Sequence, residues 1–212
     1  MAAADEIEIL IEGRGGHGAF PHRSADPVAA AGQVISALQT AVSREQDPLE
    51  PAVLTLGQIH GGSAFNVIAE SVTLRGTLRS LTPVLRRALP RRVARITAGV
   101  SRALRCRARM TWTPGHPPLA NHPALTGRIA LSAARALGRG RVKHLARPSM
   151  GGEDFTYFAA ARPACFIHVG GRNAGKGFVH PWHHPRFDFD ERALAAGAAV
   201  MAQSAWDYLH GR

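Results

Sequence analysis

The sequence predicts a mixed α/β protein whose first part is an α+β domain in the order β-α-β-β-α-β. That order makes a four-stranded antiparallel sheet with both helices on one face. Three observations predict it. Apolar residues alternate with charged or polar ones over Glu6–Glu12, Ser71–Ser80 and Arg105–Thr113, the period of half-buried strands. Two helical stripes lie between them, each opened by a capping residue and a proline, Asp26-Pro27 and Thr82-Pro83. The pattern then changes at Pro114-Gly115-His116-Pro117-Pro118, which reads as a linker.

In order, Ile7, Ile9 and Ile11 give the first strand its buried face. Val28, Ala31, Ile35, Leu38 and Val42 recur at three and four, so a helix is expected from Asp26 to about Arg44. Asp47-Pro48 and Glu50-Pro51 end it, Val53–Ile59 is a β-branched strand, and His60-Gly61-Gly62-Ser63 is a turn. In Ser71–Ser80, Val72, Leu74, Gly76 and Leu78 face one way, and Thr73, Arg75, Thr77 and Arg79 the other. Leu85, Leu89, Val93, Ile96 and Val100 stripe the second helix, which Pro90 is expected to kink or interrupt.

After the linker, Asn121-His122-Pro123 caps a helix to about Leu137, and Val142–Ala146 reads as a short strand. Pro148–Phe155 is a glycine turn into a helix with Glu153 and Asp154 in its first turn. Ala164–Gly170 reads as a buried strand, and a last helix runs from Asp190-Glu191 to about Leu209. These helices outnumber the strands available to cover them. Residues 1–114 are therefore expected to fold alone, and residues 115–212 to be loose.

The chain has 212 residues, 45% apolar and 19% charged, ordinary for a soluble globular protein. No apolar run approaches a membrane span, and the N-terminus has no signal-peptide pattern. The net charge of +11 invites a nucleic-acid reading. Against it, the basic residues are nearly all arginine, spread along the chain, with no aromatic residues interleaved in the denser stretch Arg86–Arg109. Two cysteines, Cys106 and Cys165, without CxxC spacing fit a reducing cytoplasm and small buried roles.

The stretch Gly13–Pro27, GRGGHGAFPHRSADP, places His17 and His22 in a glycine-rich loop between a strand and a helix. Such loops display reactive side chains. On spacing alone the alternative is a connection with two solvated histidines.

Four motifs in order, GRGGHGAFPHRSADPV, LTLGQIHGGSAFNVIAESVTLRGTLRS, SMGGEDFTYF and HHPRFDFDERAL, resemble the M20 metallopeptidase family. The branch they resemble is the amidohydrolase/carboxypeptidase group with the aminoacylase-like, hippurate-hydrolase-like and indole-acetyl-amino-acid hydrolases. The resemblance implies that residues 1–114 are the family's lid, or dimerisation, domain. It implies that residues 115–212 are the C-terminal part of a zinc-peptidase-like α/β catalytic domain, incomplete here, as in a truncated or split gene product.

By the same resemblance, His17 matches the lid histidine that reaches a neighbouring subunit's active site and hydrogen-bonds the substrate carbonyl oxygen. His22 shapes that loop or touches substrate. Asn66 matches the asparagine on the substrate's carboxylate side, though Ala69 stands where the family usually has proline. His183 matches the last metal ligand, with His184 at a variable position and His180 a bystander. Glu153 and Asp154 line the metal site behind its ligands; the alternative is an acid cluster at a helix start. The family's cofactor is a divalent metal (zinc, manganese or cobalt) in a two-metal centre, and its substrates are N-acyl amino acids or similar small amides. One ligand does not hold a catalytic metal, so the chain alone is expected to lack stable metal binding and hydrolase activity. The expected partner is a second copy, joined through the lid, with no membrane. The alternatives are a non-catalytic homodimerisation module and an arginine-rich nucleic-acid binder.

Overall fold

A computed structural model describes residues 1–211. Its elements are β1 (Ala3–Glu12), β2 (Gly16–His17), α1 (Pro27–Leu38), α2 (Thr40–Ser43), β3 (Ala52–Gly61), β4 (Val67–Ile68), β5 (Ser71–Ser80), α3 (Pro83–Ala103), β6 (Arg107–His116), α4 (Pro123–Leu137), α5 (Thr156–Ala161) and α6 (Arg192–Leu209). They divide into two compact units, residues 1–119 with 148–157, and residues 120–147 with 158–211.

The first unit is the expected sheet. Its strand order is β3-β5-β1-β6, and every pairing is antiparallel. Alternation puts Ile7, Ile9, Ile11, Val72, Leu74 and Leu78 on one face, where α1 and α3 cover them with Val34, Leu38, Leu89 and Val93. Each such side chain contributes about 1.5–3 kcal/mol by leaving water. The fully formed core lies between Ile7 and Cys106.

The caps act as the sequence predicts. Asp26 accepts from the Val28 and Ala29 N–H groups, and Thr82 accepts from Leu85 N–H, each ahead of a proline at the first helical position. Four expectations change. The first helix breaks at Gln39, leaving α2 as a separate turn. α3 is unbroken from Pro83 to Ala103. Pro90 removes one backbone donor, and the buried stripe Leu85, Leu89, Val93 and Ile96 outweighs that loss. β1 begins at Ala3, three residues before the alternation that predicted it. The predicted linker begins inside a strand, because β6 continues through Pro114 and Gly115 to His116.

Asp5 explains that last point. It is 2% exposed and sits at a bulge in the β1–β6 pairing. Its carboxylate accepts from Gly115 N–H at 2.9 Å and from Arg86 Nη2 and Nε at 2.7 and 3.0 Å. Arg86 Nη2 also donates to Gly115 O at 2.8 Å. A Cβ on Gly115 would collide with the Ala4 carbonyl, so only glycine fits there. The Asp5 hydrogen bond raises the Arg86 guanidinium above its ordinary value.

In the second unit, α4 packs on α6. The pair is pinned by Asp207, which accepts from Ser132 Oγ at 2.7 Å, Arg135 Nη1 at 2.8 Å and Gln203 Nε2 at 3.0 Å. The Ser132 hydrogen bond, then those of Gln203 and Arg135, hold the Asp207 carboxyl below its ordinary value. Its contribution to stability is therefore present above the usual carboxylate pKa of about 4 and is lost as pH falls through the depressed value. Asp207→Asn is expected to flatten the acid limb of the α4–α6 helical signal in a circular-dichroism pH titration. An unchanged acid limb would rule this linkage out.

The strands predicted at Val142–Ala146 and Ala164–Gly170 are not strands, since no described strand lies beside either to form a ladder. Among the described residues, no helix is long and apolar enough to cross a membrane.

Candidate functional site

His17 lies on β2, and the short ladder of β2 with β4 pairs it with Val67. Gly18 N–H donates to Asn66 O at 2.8 Å. A Cβ on Gly18 would come within 2.8 Å of that oxygen, so glycine permits the approach. The sequence therefore brings His17 and Asn66 together by backbone contacts across 49 positions of chain, through a glycine that the sequence analysis did not single out. The repeated glycines around His17 were the available signal.

His17 is exposed, and its ring is oriented from one side. Nδ1 accepts from Ala19 N–H at 3.1 Å, which in the neutral ring places the proton on Nε2 as an outward donor. The Phe20 ring lies 5.5 Å from it, and His22 meets Phe20 edge-on at 6.3 Å. Arg23 stacks over the other part of this cluster, 5.3 Å from the Phe20 centroid. His22 sits on a single tight turn, Pro21–Arg23, and is exposed. Asn66 is exposed, next to a fully exposed Phe65. Beyond Asn66, Val67 and Ile68 are held by the ladder before Ala69, which is buried.

Glu153 and Asp154 belong to the first unit, in the segment 148–157. That segment is tied to the start of β1 by Ala2 N–H, which donates to Ser149 O and Gly151 O. The two acids precede α5 rather than forming its first turn, because the helix begins at Thr156. Their carbonyls accept from Thr156 and Tyr157 N–H, and Glu153 Oε1 accepts from Phe155 N–H at 3.4 Å.

His183 lies in the second unit, exposed, with φ of 66°. A non-glycine residue in this left-handed region costs energy that the local structure must hold. His184, beside it, is occupied: its Nδ1 accepts from Arg186 N–H at 3.0 Å, and its ring stacks on His180 at 4.1 Å. The same polar loop is anchored by Asp190, read from sequence only as a helix start. Asp190 accepts from Arg192 and from Asn173 Nδ2, and these contacts, Arg192 first, hold it well below the usual carboxylate range. Of the cysteines, Cys106 is buried, which raises its thiol pKa, and Cys165 is half-buried.

Among the described residues, no three of histidine, cysteine, aspartate and glutamate come close enough to hold a metal ion. A catalytic zinc needs three protein ligands and an open position. The side chains present thus do not by themselves fit a two-metal centre.

The four-stranded antiparallel sheet with its two covering helices and the four motifs together are those of a metallopeptidase. The chain belongs to the peptidase family M20/M25/M40, whose model matches residues 17–207. It is 40% identical over 205 residues to N-acetyl-L-cysteine deacetylase of Bacillus subtilis, covering 97% of this chain and 47% of that protein. It is 37% identical over 213 aligned positions to IAA-amino acid hydrolase ILR1-like 2 of Arabidopsis thaliana, covering 99% and 48%. The solved structure of YXEP from Bacillus subtilis, a dinuclear metal-binding peptidase of the M20 family, superposes with a TM-score of 0.79 at 30% identity, covering 99% and 51%. The chain thus spans about half the length of the relatives it matches.

Proposed function

We propose that this chain supplies the substrate-facing lid and one metal ligand, His183, of a metal-dependent amidohydrolase acting on N-acyl amino acids or similar small amides. The observation that carries this is the β2–β4 ladder, which pairs His17 with Val67 and lets Gly18 N–H bond the Asn66 carbonyl. It brings the backbone of Asn66 next to that of a histidine whose Nε2 is left as an outward donor, which suits a substrate carbonyl oxygen. Two relatives support the substrate class, since their names describe removing an acyl group from an amino acid. The metal in the complete family is zinc, manganese or cobalt, which suits an imidazole ligand. Two free thiols support a reducing compartment.

With His183 as its one ligand, the chain by itself does not turn over substrate. Purified and supplied with zinc, manganese or cobalt, it is expected to release no amino acid from N-acyl amino acids. Turnover above the buffer rate would overturn this reading.

A second reading, a homodimerising lid, is favoured by the two sheet edges. β6 is guarded by Arg107, Arg109 and Pro114, whereas β3 carries no charged residue from Ala52 to Gly61. An uncharged edge strand is open to pairing with a copy of itself. Ile59 on β3 is 54% exposed. Ile59→Lys places like charges across such a pairing twice and is expected to weaken dimerisation by about tenfold. Light scattering against concentration reads this; an unchanged dimer would exclude the β3 edge.

A further inference from the structure

Between Glu70 and Glu153 no residue is acidic, whereas 17 of the chain's 26 lysines and arginines fall there. Along the sequence these cations are diffuse. In the first unit the fold sorts them onto two surfaces. On the open face of the sheet they meet glutamates, because β1 alternates Glu6, Glu8 and Glu12 with its buried isoleucines. Arg75 pairs there with Glu8 at 3.2 Å, and Arg109 with Glu12 at 3.4 Å. The helical face has no such supply of acids.

α3 contains six arginines and no acid. Arg86 and Arg92 lean inward, onto Asp5 and Gln46. Arg87, Arg91, Arg95 and Arg102 are exposed. Spacings of four, four and seven put all four on one side of the helix, over about 22 Å of its length. Arg95 meets Glu45. Among the described residues, the Arg87, Arg91 and Arg102 side chains have no hydrogen bond or ion pair. The neighbouring helix, α1, carries no charge to answer them. Like charges one turn apart repel, so the row is stabilised by an anion from outside.

The chemistry of the row selects that anion. Guanidinium forks bind phosphate oxygens bidentately. Arginines one turn apart, about 6 Å along the axis, suit a polymer that repeats its phosphate. No aromatic residue lies on α3, so it has neither a wedge to enter a bilayer nor a platform for unpaired bases. What remains is a duplex, which keeps its bases inside and presents a phosphate about every 3.4 Å on each strand. α3 packs chiefly on β6, away from β3, so two copies paired through β3 would leave the row uncovered.

We propose that the exposed face of α3 binds duplex nucleic acid through its phosphate backbone, without reading sequence. This binding is independent of hydrolysis and of metal.

The test is fluorescence anisotropy of the full chain with a labelled DNA duplex, over a salt series from about 50 to 200 mM. Two duplexes of unrelated sequence are expected to bind within about twofold of each other, and each more tightly than its separated strands. Arg87→Gln with Arg91→Gln and Arg102→Gln should weaken binding by about tenfold or more, and should reduce the slope of log affinity against log salt by about 3. All three side chains are exposed, so circular dichroism should not change. Removing as many exposed charges from the second unit, by Arg139→Gln, Arg141→Gln and Lys143→Gln, should alter affinity by less than about twofold. Equal losses from the two triple variants would reduce the effect to net charge and overturn the proposal. An undetectable duplex complex at the lowest salt, or one that the α3 variant leaves intact, would also overturn it. So would tighter binding of phosphatidylserine vesicles than of duplex, lost in the α3 variant, because a membrane surface would then be the partner.

Discussion

Replacing Asp5 with alanine is expected to cost the first unit about 3–5 kcal/mol, the range for removing one member of a buried ion pair. The reasoning follows from what is left behind. Asp5 takes a bidentate contact from Arg86 and the N–H of Gly115, so its removal strands a largely buried guanidinium and a backbone donor without their acceptor. The bulge between β1 and β6 loses the group that fills it. The double variant Asp5→Leu with Arg86→Leu removes both charges and should lose markedly less than the single change, because nothing charged remains to be desolvated. Urea unfolding followed by far-ultraviolet circular dichroism measures both. A single-variant loss below about 1 kcal/mol, the scale of a surface pair, would show that the clamp does not hold the sheet.

His17→Ala carries the next largest effect. In an enzyme completed with the portion of its relatives that this chain does not span, and supplied with metal, the substitution is expected to lower kcat by about 10²–10³. That is the cost of losing one oriented donor to a developing oxyanion. The donor is set in advance: Ala19 N–H occupies Nδ1, so Nε2 presents its hydrogen without a search among tautomers. KM should move much less than kcat, since the charge that the donor meets develops at the transition state. Metal content should stay unchanged, because His17 lies in the first unit and is not a ligand. A loss of under fivefold in kcat would remove His17 from the reaction.

Legibility in the sequence tracks how local each determinant is. The starts of α1, α3 and α4 are written in adjacent residues, a capping side chain followed by proline, and all three form where those pairs stand. Ser71–Ser80 alternates without interruption and is a strand over that span. Asp5 could not be read this way, because its meaning depends on Arg86 and Gly115, which are 81 and 110 residues away. The same distance hides the end of β6: Pro114 and Gly115 look like a linker until Asp5 is set against them. Ala164–Gly170 fails in the opposite sense, since its residues specify a strand and the described chain supplies no neighbour for it. At the site, the residue types of His17 and Asn66 were legible from their motifs. Their nearness was not, because it rests on two backbone pairs between β2 and β4.

The unequal borders of the sheet limit how far any self-association can proceed. A body with one receptive border can take one neighbour, and a two-fold arrangement uses that border on both partners at once. A ribbon would need a second receptive border, and arginines and a proline occupy that position on β6. Growth through this sheet therefore closes at a pair and cannot propagate into a filament.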